Sequence, residues 1–152
     1  MKGNYKQSDW LMITIGIVTI IDVVSSWLGA WMDSRIFIFN ASNAKEINAM
    51  GTAMHLIFIP TLEGTLISIL IMIVSFLRLK KFLILFLLLS PYTIINASLG
   101  IPELMKLDFT NVFYLPSNIL TITSFLFVGL SYYTFIVWCL ENYKKRKDRN
   151  LS

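Results

Sequence analysis

The sequence predicts an all-α membrane protein: an antiparallel bundle of four transmembrane helices with both termini in the cytoplasm. Three observations lead there. The first is composition. Of 152 residues, 56% are hydrophobic and 14% charged, with a mean hydropathy of +0.68. Ordinary globular chains carry about 25% charged residues. So few charges cannot cover so much apolar surface in water, whereas lipid can. The second is that four stretches reach the roughly 20 apolar residues a spanning helix needs. The third is the placement of the basic residues.

The spans fall at about 10–32, 55–77, 82–100 and 117–140, with a basic tail at 141–152. The first is interrupted only by Asp22, which stands at the centre of the run 15–29 with seven uncharged residues of that run on either side. It is too long for the h-region of a signal peptide and is read as a permanent span. The second contains Glu63, and the third and fourth carry no charge. Lys2 and Lys6 precede span one, Arg78, Lys80 and Lys81 separate spans two and three, and Lys144, Lys145, Arg146, Lys147 and Arg149 follow span four. The opposite side receives only Arg35, Lys45 and Lys106. The positive-inside rule therefore puts both termini in the cytoplasm, in a multi-pass protein of the plasma membrane.

The short basic link at 78–81 predicts that spans two and three are antiparallel neighbours. The long external loop at 33–54 includes Arg-Ile-Phe-Ile-Phe, expected at the interface or as a strand-like piece, and an Asn-Ala-Ser sequon at 40–42. The second external loop, about 101–116, is mildly acidic and bracketed by prolines. Pro116-Ser117-Asn118 suits the start of span four, with Ser or Asn as its N-cap. Pro60 and Pro91 are expected to kink their helices. Cys139 is the only cysteine, so an internal disulfide and a cysteine-based zinc site are excluded. The basic tail follows a span directly and suits anionic headgroups rather than nucleic acid.

Every span offers a polar group to one layer. At about 1.5 Å per residue, Asp22, Glu63, Asn96 and Ser124 all lie roughly 20–24 Å from the cytoplasmic end. His55 lies above that layer, where it reads as interfacial or as a pH-sensitive group. Helical spacing puts Thr19, Asp22, Ser25, Ser26 and Gly29 on one small, polar face of span one. On span four, Ser117, Thr121, Ser124 and Ser131 share a face. Thr121 and Ser124 are therefore expected to face the bundle, with Phe125 and Phe127 toward lipid or a partner. Gly64 and Ser68 form a small-xxx-small pair expected to pack against a neighbouring helix.

The carboxylates demand a further reason. A charge at mid-bilayer costs about 2.5–3.5 kcal/mol on insertion scales. Neither Lys nor Arg stands at this depth to pair with Asp22 or Glu63. Two neighbouring carboxylates disfavour joint ionisation, so they are expected to share a proton or cation, or to hold a proton on one of them. The alternative is a neutral, hydrogen-bonded acid that only fixes the packing.

Thr19, Asp22 and Ser26 resemble the polar-x-x-Asp-x-x-x-(Ser/Thr) pattern in the first span of a family of short prokaryotic integral-membrane proteins, grouped as a domain of unknown function. Glu46-Ile47-Asn48 is similar to that family's Glu-Leu-Asn-Pro motif, with Ala49 in place of Pro, and Asn96 to its third-span Asn. The likeness covers about residues 10–100. It implies a membrane architecture and adds Glu46 and Asn48 to the polar residues, but implies no reaction.

Three functions compete. An accessory or structural subunit of a larger membrane complex suits the small size and the small-residue stripes. A proton- or cation-handling transport protein, built as a homo-oligomer, would use the carboxylate layer. An intramembrane enzyme comes last, since no HExxH, GxSxG or aspartate-dyad motif is present and there is a single His. No pattern in the chain names a cofactor or a metal.

Overall fold

The computed structural model describes residues 6–40, 44–99 and 115–150; side chains are described for 6–32, 58–59, 61–95, 115–116 and 118–149. Four helices make up these residues, with no strand among them: α1 (Gln7–Asn40), α2 (Ala44–Phe76), α3 (Leu83–Leu99) and α4 (Leu115–Asn150). A short 3-10 turn, Lys80–Phe82, leads into α3. The segments Gln7–Met32 and Asn118–Arg149 are long and apolar enough to cross a membrane.

The helices outrun their apolar runs. α1 continues through residues 33–40, so the Arg-Ile-Phe-Ile-Phe segment is helical and not a strand-like piece. α2 begins at Ala44, which leaves only residues 41–43 of the expected 33–54 loop between two helices. Hydropathy falls in this stretch, but helix propensity does not. Ala44-Lys45-Glu46 and Ala49-Met50 are good helix formers, and an isolated Ile/Phe run has no strand to pair with. α4 starts at Leu115, so Asn118 lies inside its first turn instead of capping it. Pro116 there needs no amide partner. The loop expected at 101–116 lies almost wholly outside the described residues.

The link between α2 and α3 is a tight one. Arg78 adopts the left-handed region at φ 56°. The amide of Leu79 bonds the Val74 carbonyl at 2.9 Å, and that of Arg78 bonds the Ser75 carbonyl at 3.1 Å. This is a Schellman closure, made here without the usual glycine. It reverses the chain within Leu77–Leu79 as the short basic link implied. The two helices do not, however, pack along each other.

Packing instead runs in the order α2–α1–α4–α3. α1 is antiparallel to α2: Gly16 meets the Phe76 ring, and Trp27 Nε1 donates to Thr65 Oγ1 at 2.9 Å. α1 is antiparallel to α4 as well, from Ser8 against Glu141 to Gly29 against Pro116. The row curls, and a cluster of Met12, Ile15, Val18, Leu83, Phe86 and Phe127 fills its concave side toward one end. Phe127 thus points inward, against the expectation for it, while Phe125 stays exposed. The reason is the helical period. Phe127 is three residues from Ser124 and four from Thr123, so it shares their face.

Outside and inside are exchanged relative to a water-soluble bundle. Ser8, Thr19, Ser25, Ser75, Ser90, Thr121, Thr123, Ser131 and Thr134 are buried, whereas Val24, Leu70, Leu88 and Ile95 are exposed. Most of these hydroxyls bond a carbonyl one turn back, as Thr19 does to Ile15 and Ser131 to Phe127. Ser90 has a second task. Pro91 lacks the amide that would reach the Leu87 carbonyl, and Ser90 Oγ donates to that carbonyl instead at 2.6 Å. Tyr132 OH of α4 lies 3.2 Å from the same hydroxyl. Ser90→Ala is expected to cost about 1–3 kcal/mol, because it orphans a buried carbonyl beside the proline. Thermal unfolding in detergent, with Ser90→Thr as the partial rescue, checks this.

One end of the molecule is tied by ions. Lys80 Nζ lies 2.7 Å from Asp9 Oδ1 and donates to Ser8 Oγ at 2.6 Å. Ser8 Oγ donates in turn to Glu141 Oε2 at 2.5 Å, and the Ser8 amide donates to Glu141 Oε1 at 3.1 Å. Glu141 of α4 therefore satisfies an amide in the first turn of α1, where a carboxylate also meets the positive end of the helix dipole. Asp9 Oδ2 accepts from the Lys6 amide at 3.0 Å, closing the same turn from within.

Candidate functional site

Because α2 and α3 are the two ends of a curled row, a groove opens between them. Its volume is about 440 Å³. α1 and α4 form the floor, through Val18, Thr19, Asp22 and Ser26, and through Thr123, Ser124 and Phe127. Thr61, Glu63, Gly64, Ile67, Ser68 and Ile71 of α2 line one wall, and Leu89, Tyr92 and Thr93 of α3 the other.

Five residues chosen from the sequence meet here: Thr19, Asp22, Ser26, Glu63 and Ser124. Axial depth brought them to one level, and the packing order turned them to one space. Asn96 lies on α3 and Glu46, Asn48 and His55 on α2, but their side chains are outside the described ones. The sequon at 40–42 likewise falls largely outside the described residues.

Asp22 is half-buried on the floor, and its Oδ1 lies 2.6 Å from Thr123 Oγ1. Thr123 is also 3.0 Å from the Leu120 carbonyl of its own helix. A hydroxyl has one proton, so these two contacts imply two states. With Asp22 ionised, Thr123 donates to the carboxylate. With Asp22 protonated, the acid donates to Thr123, which then donates to Leu120. Among the described residues nothing donates to Asp22 Oδ2. Glu63 stands differently: it is exposed on the α2 wall.

Thr123 went unread in the sequence because it falls off the Thr121–Ser124 stripe. Its axial level, one residue from Ser124, was the available signal. The expected Gly64–Ser68 packing seam is also not found. A β-carbon on Gly64 would meet nothing within 4 Å, and both residues line the groove. α2 reaches α1 through Thr65, which shares one side of the helix with Thr61, Ser68 and the buried Ser75. Gly16 makes the close approach instead, with the Phe76 ring 3.0 Å from where its β-carbon would be.

Among the described residues there is no cluster of three or more His, Cys, Asp or Glu side chains able to hold a metal. The groove can accept hydrogen bonds and positive charge at its two acids. The chain matches no protein-family model, and no curated protein or solved structure is significantly similar to it. The described residues thus form a strandless helical fold with two helices able to cross a membrane and a largely apolar cleft that holds two acids and several hydroxyls.

Proposed function

We propose that the chain is a four-span protein of the plasma membrane, both termini cytoplasmic, and that it serves without catalysis as an accessory subunit of a larger membrane complex. One observation carries the reading: an exposed carboxylate, Glu63, on the wall of a groove that also holds Asp22 and several hydroxyls, on a helix whose exposed neighbours, such as Leu62, Leu66 and Leu70, are apolar. An apolar exterior with hydroxyls buried inside suits lipid. The groove's carboxylate does not, since an acid facing acyl chains has no partner to offset its cost. A neighbouring subunit would cover it. The charge split of the sequence and the meeting of Lys6, Lys80 and Glu141 at one end support the shared side for the termini.

Purification of the full chain in mild detergent tests the role. Stoichiometric co-purifying subunits are the expected result. A homogeneous homo-oligomer whose thermal stability depends on pH or on a cation would instead support transport through the Asp22–Thr123 site. Topology is checked separately in a Cys139→Ser background, with a single cysteine at Ser42 or at Ser152. On intact cells an impermeant maleimide should label the first position and not the second; labelling at 152 would refute the orientation.

A further inference from the structure

We infer that the groove between α2 and α3 receives a transmembrane helix of a different protein, and that this helix carries a Lys or Arg at the level of Glu63. The inference rests on the accessory-subunit reading and specifies the partner's chemistry.

Charge complementarity carries it. Glu63 is exposed at the groove wall, and Asp22, its Oδ1 bonded by Thr123, lines the same space. The basic residues nearest in sequence, Arg35 beyond Asp22 and Arg78 beyond Glu63, are roughly 20 Å away along their helices. Among the described residues, two acids and no cation line the groove at this level. A second copy of the same orientation in the membrane brings the same two acids to this level. Two copies set groove to groove would oppose acid to acid, which disfavours their ionisation and the contact. A basic side chain from another protein answers both acids. Its ammonium or guanidinium would bond Glu63 and the open oxygen of Asp22, while Thr123 holds Oδ1.

Shape agrees with a helix as occupant. The α2 wall from Thr61 to Ile71 spans about 15 Å, or three helical turns. Gly64 leaves that wall flat at its centre, with open space where a β-carbon would stand. Small residues are what let membrane helices come close. A metal ion would find only two carboxylates and hydroxyls, and among the described side chains no three His, Cys, Asp or Glu stand together.

The test uses the full-length protein, labelled at the exposed Cys139, in lipid nanodiscs. The probes are two synthetic Leu/Ala transmembrane peptides, identical except for a central Lys or a central Leu, and association is read by energy transfer. The Lys peptide should associate about tenfold more tightly than the Leu peptide, the lower end for a close desolvated charge pair. Glu63→Gln should abolish that preference with helicity unchanged, and Gly64→Leu should weaken both peptides by filling the groove. Equal association of the two peptides, or a preference that survives Glu63→Gln, overturns the inference. So does saturable sodium binding lost in Glu63→Gln with no peptide preference, which assigns the site to a free cation. If subunits co-purify but the peptides bind alike, the partner's chemistry is wrong and the accessory role stands. If no subunit co-purifies, the accessory role itself fails.

Discussion

Phe127→Ala should destabilise the protein by about 3 kcal/mol, near the low end for truncating a buried aromatic. Phe127 is 8% exposed and its ring lies 5.7 Å from that of Phe86. With Met12, Ile15, Val18 and Leu83 it joins α1, α3 and α4 in one cluster. In lipid the loss is of contacts and of a filled volume more than of transfer from water, which keeps the value at the low end. The comparison is Phe125→Ala, two residues away and 43% exposed, which should stay within about 0.5 kcal/mol of the parent. Denaturant or thermal unfolding in a fixed detergent measures both. Equal losses for the two would mean that the inward face of α4 is wrongly placed. The same variant should loosen the groove floor, since Phe127 lines it beside Thr123 and Ser124.

The second large effect is expected at the tied end. Lys80→Met removes the ammonium that bridges Asp9, Ser8 and, at 3.9 Å, Glu141, and leaves Arg78 as the remaining charge acting on Asp9. The two acids would then face each other without it, at a cost of about 2–3 kcal/mol for lost charged hydrogen bonds. Both partners of the closer pair are mostly shielded from solvent, with side chains 15% and 18% exposed, so screening reduces the effect only in part. Lys80→Arg should restore part of the loss. Lys81→Met should be nearly silent, because Lys81 is exposed and makes no ion pair among the described residues. Unfolding midpoints of the three variants decide. If Lys80 and Lys81 behave alike, the basic link acts only through its summed charge, as the sequence alone suggested. A second consequence concerns order: α1 and α4 should separate first at this end in Lys80→Met, seen as faster amide exchange around Ser8.

Reading the sequence located the helices well where hydropathy and propensity agree, as in 82–100 against the observed Leu83–Leu99. It failed at 33–54, where they part. There polar residues looked like a loop although most are good helix formers. The gathering of Asp22, Glu63 and Ser124 was legible because axial rise is set by the backbone alone, so depth can be counted residue by residue. The neighbours of Asp22 were not.

The sequence by itself determined an apolar, all-helical chain, the places of its helices, the basic clusters that meet at one end and the level of its acids. These follow from local terms: composition, propensity, and a fixed rise per residue. Only the tertiary structure decided that α1 and α4 lie between α2 and α3, that Thr123 is the partner of Asp22, that Phe127 turns inward, that Gly64 faces open space and that Lys80 is a clamp. Such choices concern rotation about each helix axis. In a soluble helix one apolar stripe marks the buried face; in these helices apolar residues surround the axis, so the stripe is lost. Rotation is then settled by contacts between residues far apart in sequence, such as Asp22 with Thr123 and Ser8 with Glu141. No local pattern contains them.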